Sequence, residues 1–245
     1  MNWTTTALQN FISRFIRKAL PFVFVSKSGW LGFTTIQGAV KYVENMDEKK
    51  MIFVGPGIYY EKEIAWTGSR MAMFGCGRAT IIDGGSTAVT AILQIDGDEN
   101  MIAFMTAQTD AGYGRNHKCF KSNGDKNTFL GCSVIQTDNT GFSMVGDDNL
   151  CVACRVDDAD DLAMYAEPGE GNAFVGNMMG TPTSYGIYSS GDFTLIVGNT
   201  TRTGANNSHH LTAGANNSCM VGNLGGGATI VDSSGTSTAT GNESY

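Results

Sequence analysis

Proline is almost missing from this chain, at 4 of 245 residues. A basic excess is missing too. Lys and Arg number 16 against 23 Asp and Glu, for a net charge of −7, which argues against nucleic acid as a partner. No apolar run approaches the roughly 20 residues of a membrane span, so no membrane contact is expected. The N-terminal stretch does not read as a secretory signal, because Arg14, Arg17 and Lys18 interrupt its apolar positions. The six cysteines form no dense disulfide framework. Cys151 and Cys154 make a CxxC without a second pair. They read as small hydrophobes rather than a metal or redox site, and no cofactor is expected.

What is abundant is glycine, at 32 residues, within a chain that is 42% hydrophobic. That combination points to many tight turns around a real core. "NAFVGN", "TLIVGN" and "NSCMVGN" repeat one phrase at nearly equal intervals. With Asn100, Asn127, Asn149, Asn172, Thr194 and Ser218 as anchors, the steps are 27, 22, 23, 22 and 24 residues. Seven positions earlier stand Leu93, Phe120, Phe142, Tyr165, Ile187 and Leu211, which are expected to form one buried stack. Three positions earlier stand five glycines and Ala215.

The segments between glycines run only about 4 to 7 residues and favour Val, Ile, Phe and Thr, as strands do. A period near 22 built from such strands is a solenoid. The spacing predicts an all-β, single-stranded parallel β-helix of 22–24 residues per coil. About eight coils at roughly 4.8 Å each would give a length near 40 Å. Asn177, Asn199 and Asn223 recur in one column and can pass amide hydrogen bonds from coil to coil. The longest interval places an extra loop in "QTDAGYGRNHK".

"FTTIQGAVKYVE", "MIFVGPGIYYEKEIAW" and "MFGCGRATIIDGG", between Phe33 and Gly85, resemble the opening of pectin-lyase-like right-handed β-helices, among them pectin methylesterases and phage tailspikes. The resemblance implies a right-handed coil and a short helix, Thr35 to Glu44, capping its first turn. The family's chemistry is not legible. There is no Arg-Pro-Trp run, and no paired Asp motif followed by His-Gly and Arg-x-Lys elements.

Two parts divide the chain: residues 1–32, an amphipathic helical arm and linker, and residues 33–245, the β-helix. In the arm, Leu8, Phe11, Ile12, Phe15 and Ile16 keep helical spacing while Arg14, Arg17 and Lys18 take the other side. The arm is expected to dock on a partner.

Four acids, Asp147, Asp148, Asp157 and Asp158, are the catalytic candidates if there is any catalysis, since two carboxylates about 5 to 9 Å apart can hydrolyse a glycoside. Asp is also a common turn residue. Tyr113, Arg115, His117 and Lys118 form a candidate contact loop. Leu130, Val152, Val175, Val197 and Val221 follow an equally apolar column. Successive strand residues face opposite ways, so this column is expected outside, as a self-association stripe. No exposed aromatic row is legible.

These features predict a non-enzymatic structural protein of a virus or phage particle, assembled in the host cytoplasm. It would be a homotrimer serving as capsid decoration or short appendage beside other virion proteins. The alternative is a carbohydrate-active tailspike or a sugar-binding adhesin module, with surface polysaccharide as partner.

Overall fold

The computed structural model describes residues 22–244, apart from 30–31, 47–50, 86–89, 110–116, 203–206, 213–214, 227–228 and 233–236. The chain winds as a right-handed parallel β-solenoid of about seven turns. Its three sheets are wholly parallel. Sheet A has ten strands, from Phe22–Val25 through Leu195–Val197 to Thr238–Thr240. Sheet B has nine, from Gly57–Tyr60 to Glu243–Ser244, and sheet C eight, from Ile64–Trp66 to Thr229–Asp232. Each coil runs from C to A to B.

One α-helix, α1 (Ile36–Glu44), lies among the described residues. The Thr35 hydroxyl caps it by accepting from the Gly38 N–H, and the Glu61 carboxylate accepts from the Ile36 and Gln37 N–H groups. Its apolar face, Ile36, Ala39, Val40 and Val43, is buried. It packs on the first strands of sheets A and C and so closes that end of the solenoid.

The core is built of columns. In sheet A, Ile102, Phe129, Cys151, Phe174, Ile196 and Met220 stack inward through five consecutive registers. In sheet C the inward column is Leu93, Phe120, Phe142, Met164, Ile187 and His209. Phe120 and Phe142 stack with ring centroids 4.9 Å apart.

This corrects the expected stack at two places. Tyr165 lies beside the column, with Met164 in it, and Leu211 belongs to the column of Ser189. The cause is turn length. Seven residues separate Phe142 from Asn149, but eight separate Met164 from Asn172 and nine separate His209 from Ser218. Counting back from the anchor therefore slips by one and then two.

The glycines three before each anchor have a steric reason. Successive C-to-A turns lie directly upon one another. A Cβ at Gly124 would stand 2.3 Å from the Gly97 carbonyl oxygen, and one at Gly191 2.2 Å from that of Gly169.

Asparagine columns lock the coils together. The Asn177, Asn199 and Asn223 N–H groups each donate to the side-chain oxygen of the next member, at 2.8 to 2.9 Å, ending on Asn242. Their amide NH₂ groups also donate back, Asn199 to the Phe174 carbonyl and Asn223 to that of Ile196. Earlier in the same column stand Cys132 and Cys154, whose thiols donate to the equivalent carbonyls of Ile102 and Phe129. Burial pushes both thiols well above their ordinary pKa, so they remain protonated donors. The anchors form a second column of the same kind, with the N–H of Asn100, Asn127 and Asn149 donating to the next anchor's side-chain oxygen.

Candidate functional site

The outer face of sheet C is the most chemically furnished surface of the solenoid. Along one outward column stand Gln94, Lys121, Ser143, Tyr165, Tyr188 and His210, in continuous register. Tyr185 joins it from the neighbouring outward column. The four rings form a shelf. Centroids are 5.4 Å apart for Tyr165 and Tyr188, 5.0 Å for Tyr185 and Tyr188, and 5.4 Å from His210 to both Tyr185 and Tyr188. All four are partly exposed. Burial, then the neighbouring Tyr165 and Tyr185 hydroxyls, raises the pKa of Tyr188, which keeps its proton to donate. Burial lowers that of His210, so its ring is neutral at pH 7.

Beside the shelf lies a polar knot. Lys118 pairs with Glu167 and donates to the Ser143 hydroxyl at 3.1 Å, and Ser143 donates to Glu167 at 2.7 Å. The Lys118 ammonium is also 5.9 Å from the Tyr165 ring centroid. Burial alone would raise the Glu167 pKa. The hydrogen bonds from Lys118 and Ser143, with the charges of Lys118 and Lys121, outweigh it and hold the carboxyl below its ordinary value. Glu167 is therefore a fixed, ionised acceptor, which does not suit a general acid.

A cavity of about 330 Å³ opens at the rim of this face, lined by Asp147, Pro168, Glu170, Ser190 and Asp192 among others. It lies where the lengthened turn of Glu167 to Gly171 leaves the sheet.

The sequence candidates disperse. Asp147 sits in a C-to-A turn, where its carboxylate accepts from the Glu170 N–H at 2.8 Å. Asp148, next in the same turn, has φ of 55°. Asp157 and Asp158 stand on sheet B. There Asp157 pairs with Arg78 and Arg155, and Asp158 accepts from the Thr181 hydroxyl. The fold thus makes two pairs on separate elements, not one four-acid centre. Among the described residues no group of His, Cys, Asp and Glu is placed to hold a metal.

Of the contact loop, Tyr113 and Arg115 lie outside the described residues. His117 is buried beside Asp138, at 3.1 Å, and is not a surface contact. Lys118 is at the polar knot. Leu130, Val152, Val175 and Val197 are partly exposed on the outer face of sheet A, and Val221 is exposed. Leu8, Phe11, Ile12, Arg14, Phe15, Ile16, Arg17 and Lys18 also lie outside the described residues.

The aromatic shelf was the feature sequence reasoning missed. Aligning "LAMYA", "YGIYS" and "NSHHL" as strands, without counting from the anchors, brings Tyr165, Tyr188 and His210 into one column.

No family model matches this sequence, and no curated protein does either. Solved structures match over most of its length. A pectin methylesterase from Erwinia chrysanthemi is 12% identical over 86% of this chain and 80% of its own, with a TM-score of 0.65. One from Aspergillus niger is 12% identical over 90% and 86%, also at 0.65. The catalytic domain of a GH87 α-1,3-glucanase is 15% identical over 91% of this chain but 37% of its own, at 0.53. At these identities the likeness is one of fold. The three-sheet solenoid is, like theirs, a right-handed parallel β-helix.

Proposed function

We propose that this protein recognises polysaccharide along the outer face of sheet C. The aromatic shelf carries the reading. Tyrosine and neutral histidine rings offer flat apolar faces for the C–H surfaces of sugars, and hydroxyls for their polar edges. The stack runs up the solenoid axis, so an extended chain can contact successive coils. Lys121 and the Lys118–Glu167 pair, held by the buried Ser143 hydroxyl, supply donors and acceptors along the same path. The structural neighbours include pectin methylesterases and an α-1,3-glucanase. They support the carbohydrate reading over the particle-structural one.

Recognition is the reading because the shelf offers contact surface, and Glu167, held ionised, is not the general acid that glycoside hydrolysis requires. Affinity electrophoresis tests this, with gels containing pectin, α-1,3-glucan or bacterial surface polysaccharides. At least one glycan is expected to retard the protein, and Tyr165→Ala with Tyr188→Ala to abolish the retardation without loss of the fold. Equal mobility of the variant and the unmodified protein in every gel that retards them would contradict the reading. Release of reducing ends, lost in Glu167→Gln, would replace recognition by hydrolysis at the same face.

A further inference from the structure

The corner where sheet A turns into sheet B has one position whose N–H donates to a carbonyl of the next coil and whose φ is positive. In later coils that position is Gly131, Gly176, Gly198, Gly222 and Gly241, or Ala153 with φ of 52°. In one coil it is Phe104, with φ of 55° and 45% of its surface exposed. A bulky side chain is strained in that conformation, and an exposed ring offsets little of the strain. The ring lies across the turn of the next coil, where a Cβ at Gly131 would stand 2.9 Å from it.

Two guanidiniums share this corner. Gly77, next to Arg78 in the chain, donates its N–H to the Phe104 carbonyl at 2.7 Å. The Arg78 side chain reaches Asp157 on the strand Arg155–Ala159, three strands beyond Thr80–Asp83 in sheet B, and so passes the coil of Phe104. Arg155 meets the other oxygen of the same carboxylate, which holds the two guanidiniums close together. Each donates one N–H to Asp157, and among the described residues their other guanidinium N–H groups have no partner. Asp158, next in the chain, is tied to the Thr181 hydroxyl. The two arginine side chains are 53% and 41% exposed, and ion pairs so exposed contribute little to stability. Neither the strained ring nor the paired forks is explained by the fold.

We infer that this corner binds a sulfate or phosphate ester carried on a sugar ring. Guanidinium forks match oxyanions bidentately, and the terminal oxygens of such an ester can accept from both forks together. Phe104 offers a flat apolar face to the C–H side of the ring that carries the ester. The corner lies on a different side of the solenoid from the aromatic shelf and does not depend on it.

Affinity electrophoresis tests the inference, in gels holding dextran sulfate, dextran phosphate, neutral dextran or inorganic polyphosphate. Retardation is expected with one or both dextran esters and not with neutral dextran, and which ester acts identifies the group. The net charge of −7 opposes non-specific adherence to a polyanion. Arg78→Gln with Arg155→Gln is expected to abolish the retardation. Tyr165→Ala with Tyr188→Ala is expected to leave it, which keeps this result apart from the reading of sheet C. Phe104→Gly separates binding from structure. It is expected to weaken retardation while the melting temperature stays level or rises, because glycine relieves the left-handed strain. No retardation by either ester, or equal retardation of the arginine variant, would overturn the inference. So would a lowered melting temperature or full retardation for Phe104→Gly. Retardation by polyphosphate alone would also overturn it, by showing an anion site that makes no use of the sugar.

Discussion

His209 occupies the inward position that Ile187 holds one coil earlier, and among the described residues neither of its ring nitrogens has a hydrogen-bond partner. Burial pushes its pKa down to about 3. The unfolded chain therefore binds a proton below about pH 6.5 that the folded chain refuses. Stability is full above that pH and falls as pH drops through the window from 6.5 toward 3, by about 1.4 kcal/mol per unit. His209→Leu is expected to flatten this dependence by about 2 kcal/mol between pH 7 and pH 5, in urea unfolding at each pH. Parallel curves for the two proteins would refute a neutral buried histidine. The corrected register makes a second prediction. Phe142, stacked on Phe120 inside, is expected to cost about 3 to 5 kcal/mol on replacement by Ala. Tyr165→Ala, at the surface, is expected to cost under about 1 kcal/mol. Equal costs would restore Tyr165 to the core.

The strands and the A-to-B turn were legible in the sequence, because that turn keeps one length. Gly131, Gly176, Gly198 and Gly222 hold φ near 60°, and the ladder residue always follows. The C-to-A turn varies in length, and so the anchor count misplaced Tyr165 and hid the site. The acids separate for a related reason: residues close in sequence are distributed around a coil, as Asp147 in a turn and Asp157 on sheet B show. The likeness of "GN" to "GC" at Cys132 and Cys154 was visible, but its meaning was not. Only the shared carbonyl acceptors show that a thiol substitutes for an amide there. Asn199→Ala leaves the Asn177 N–H without its acceptor, at about 1 to 3 kcal/mol, and removes one donor from the Phe174 carbonyl. Asn199→Cys is expected to recover part of that loss in thermal unfolding. A variant with Ala as stable as the parent would show the column to be dispensable.

At the scale of the whole molecule, the solenoid sets two unlike faces side by side, one apolar on sheet A and one aromatic and polar on sheet C. Leu130, Val152, Val175, Val197 and Val221 run up the outer face of sheet A as an uncharged stripe. That stripe is expected to carry self-association, as the homotrimer expected from sequence. Val175→Asp with Val197→Asp is expected to shift sedimentation to the monomer, and a monomeric parent protein at micromolar concentration would contradict the stripe's role. The polar face bears the central claim, and it is tested most directly by diffraction from crystals grown with an oligosaccharide of whichever glycan retards the protein. Sugar rings are predicted against Tyr165, Tyr188 and His210, with hydroxyls at Lys121 and Glu167. Sugar bound instead at Asp157 and Asp158 on sheet B, with the sheet C face empty, would contradict the claim.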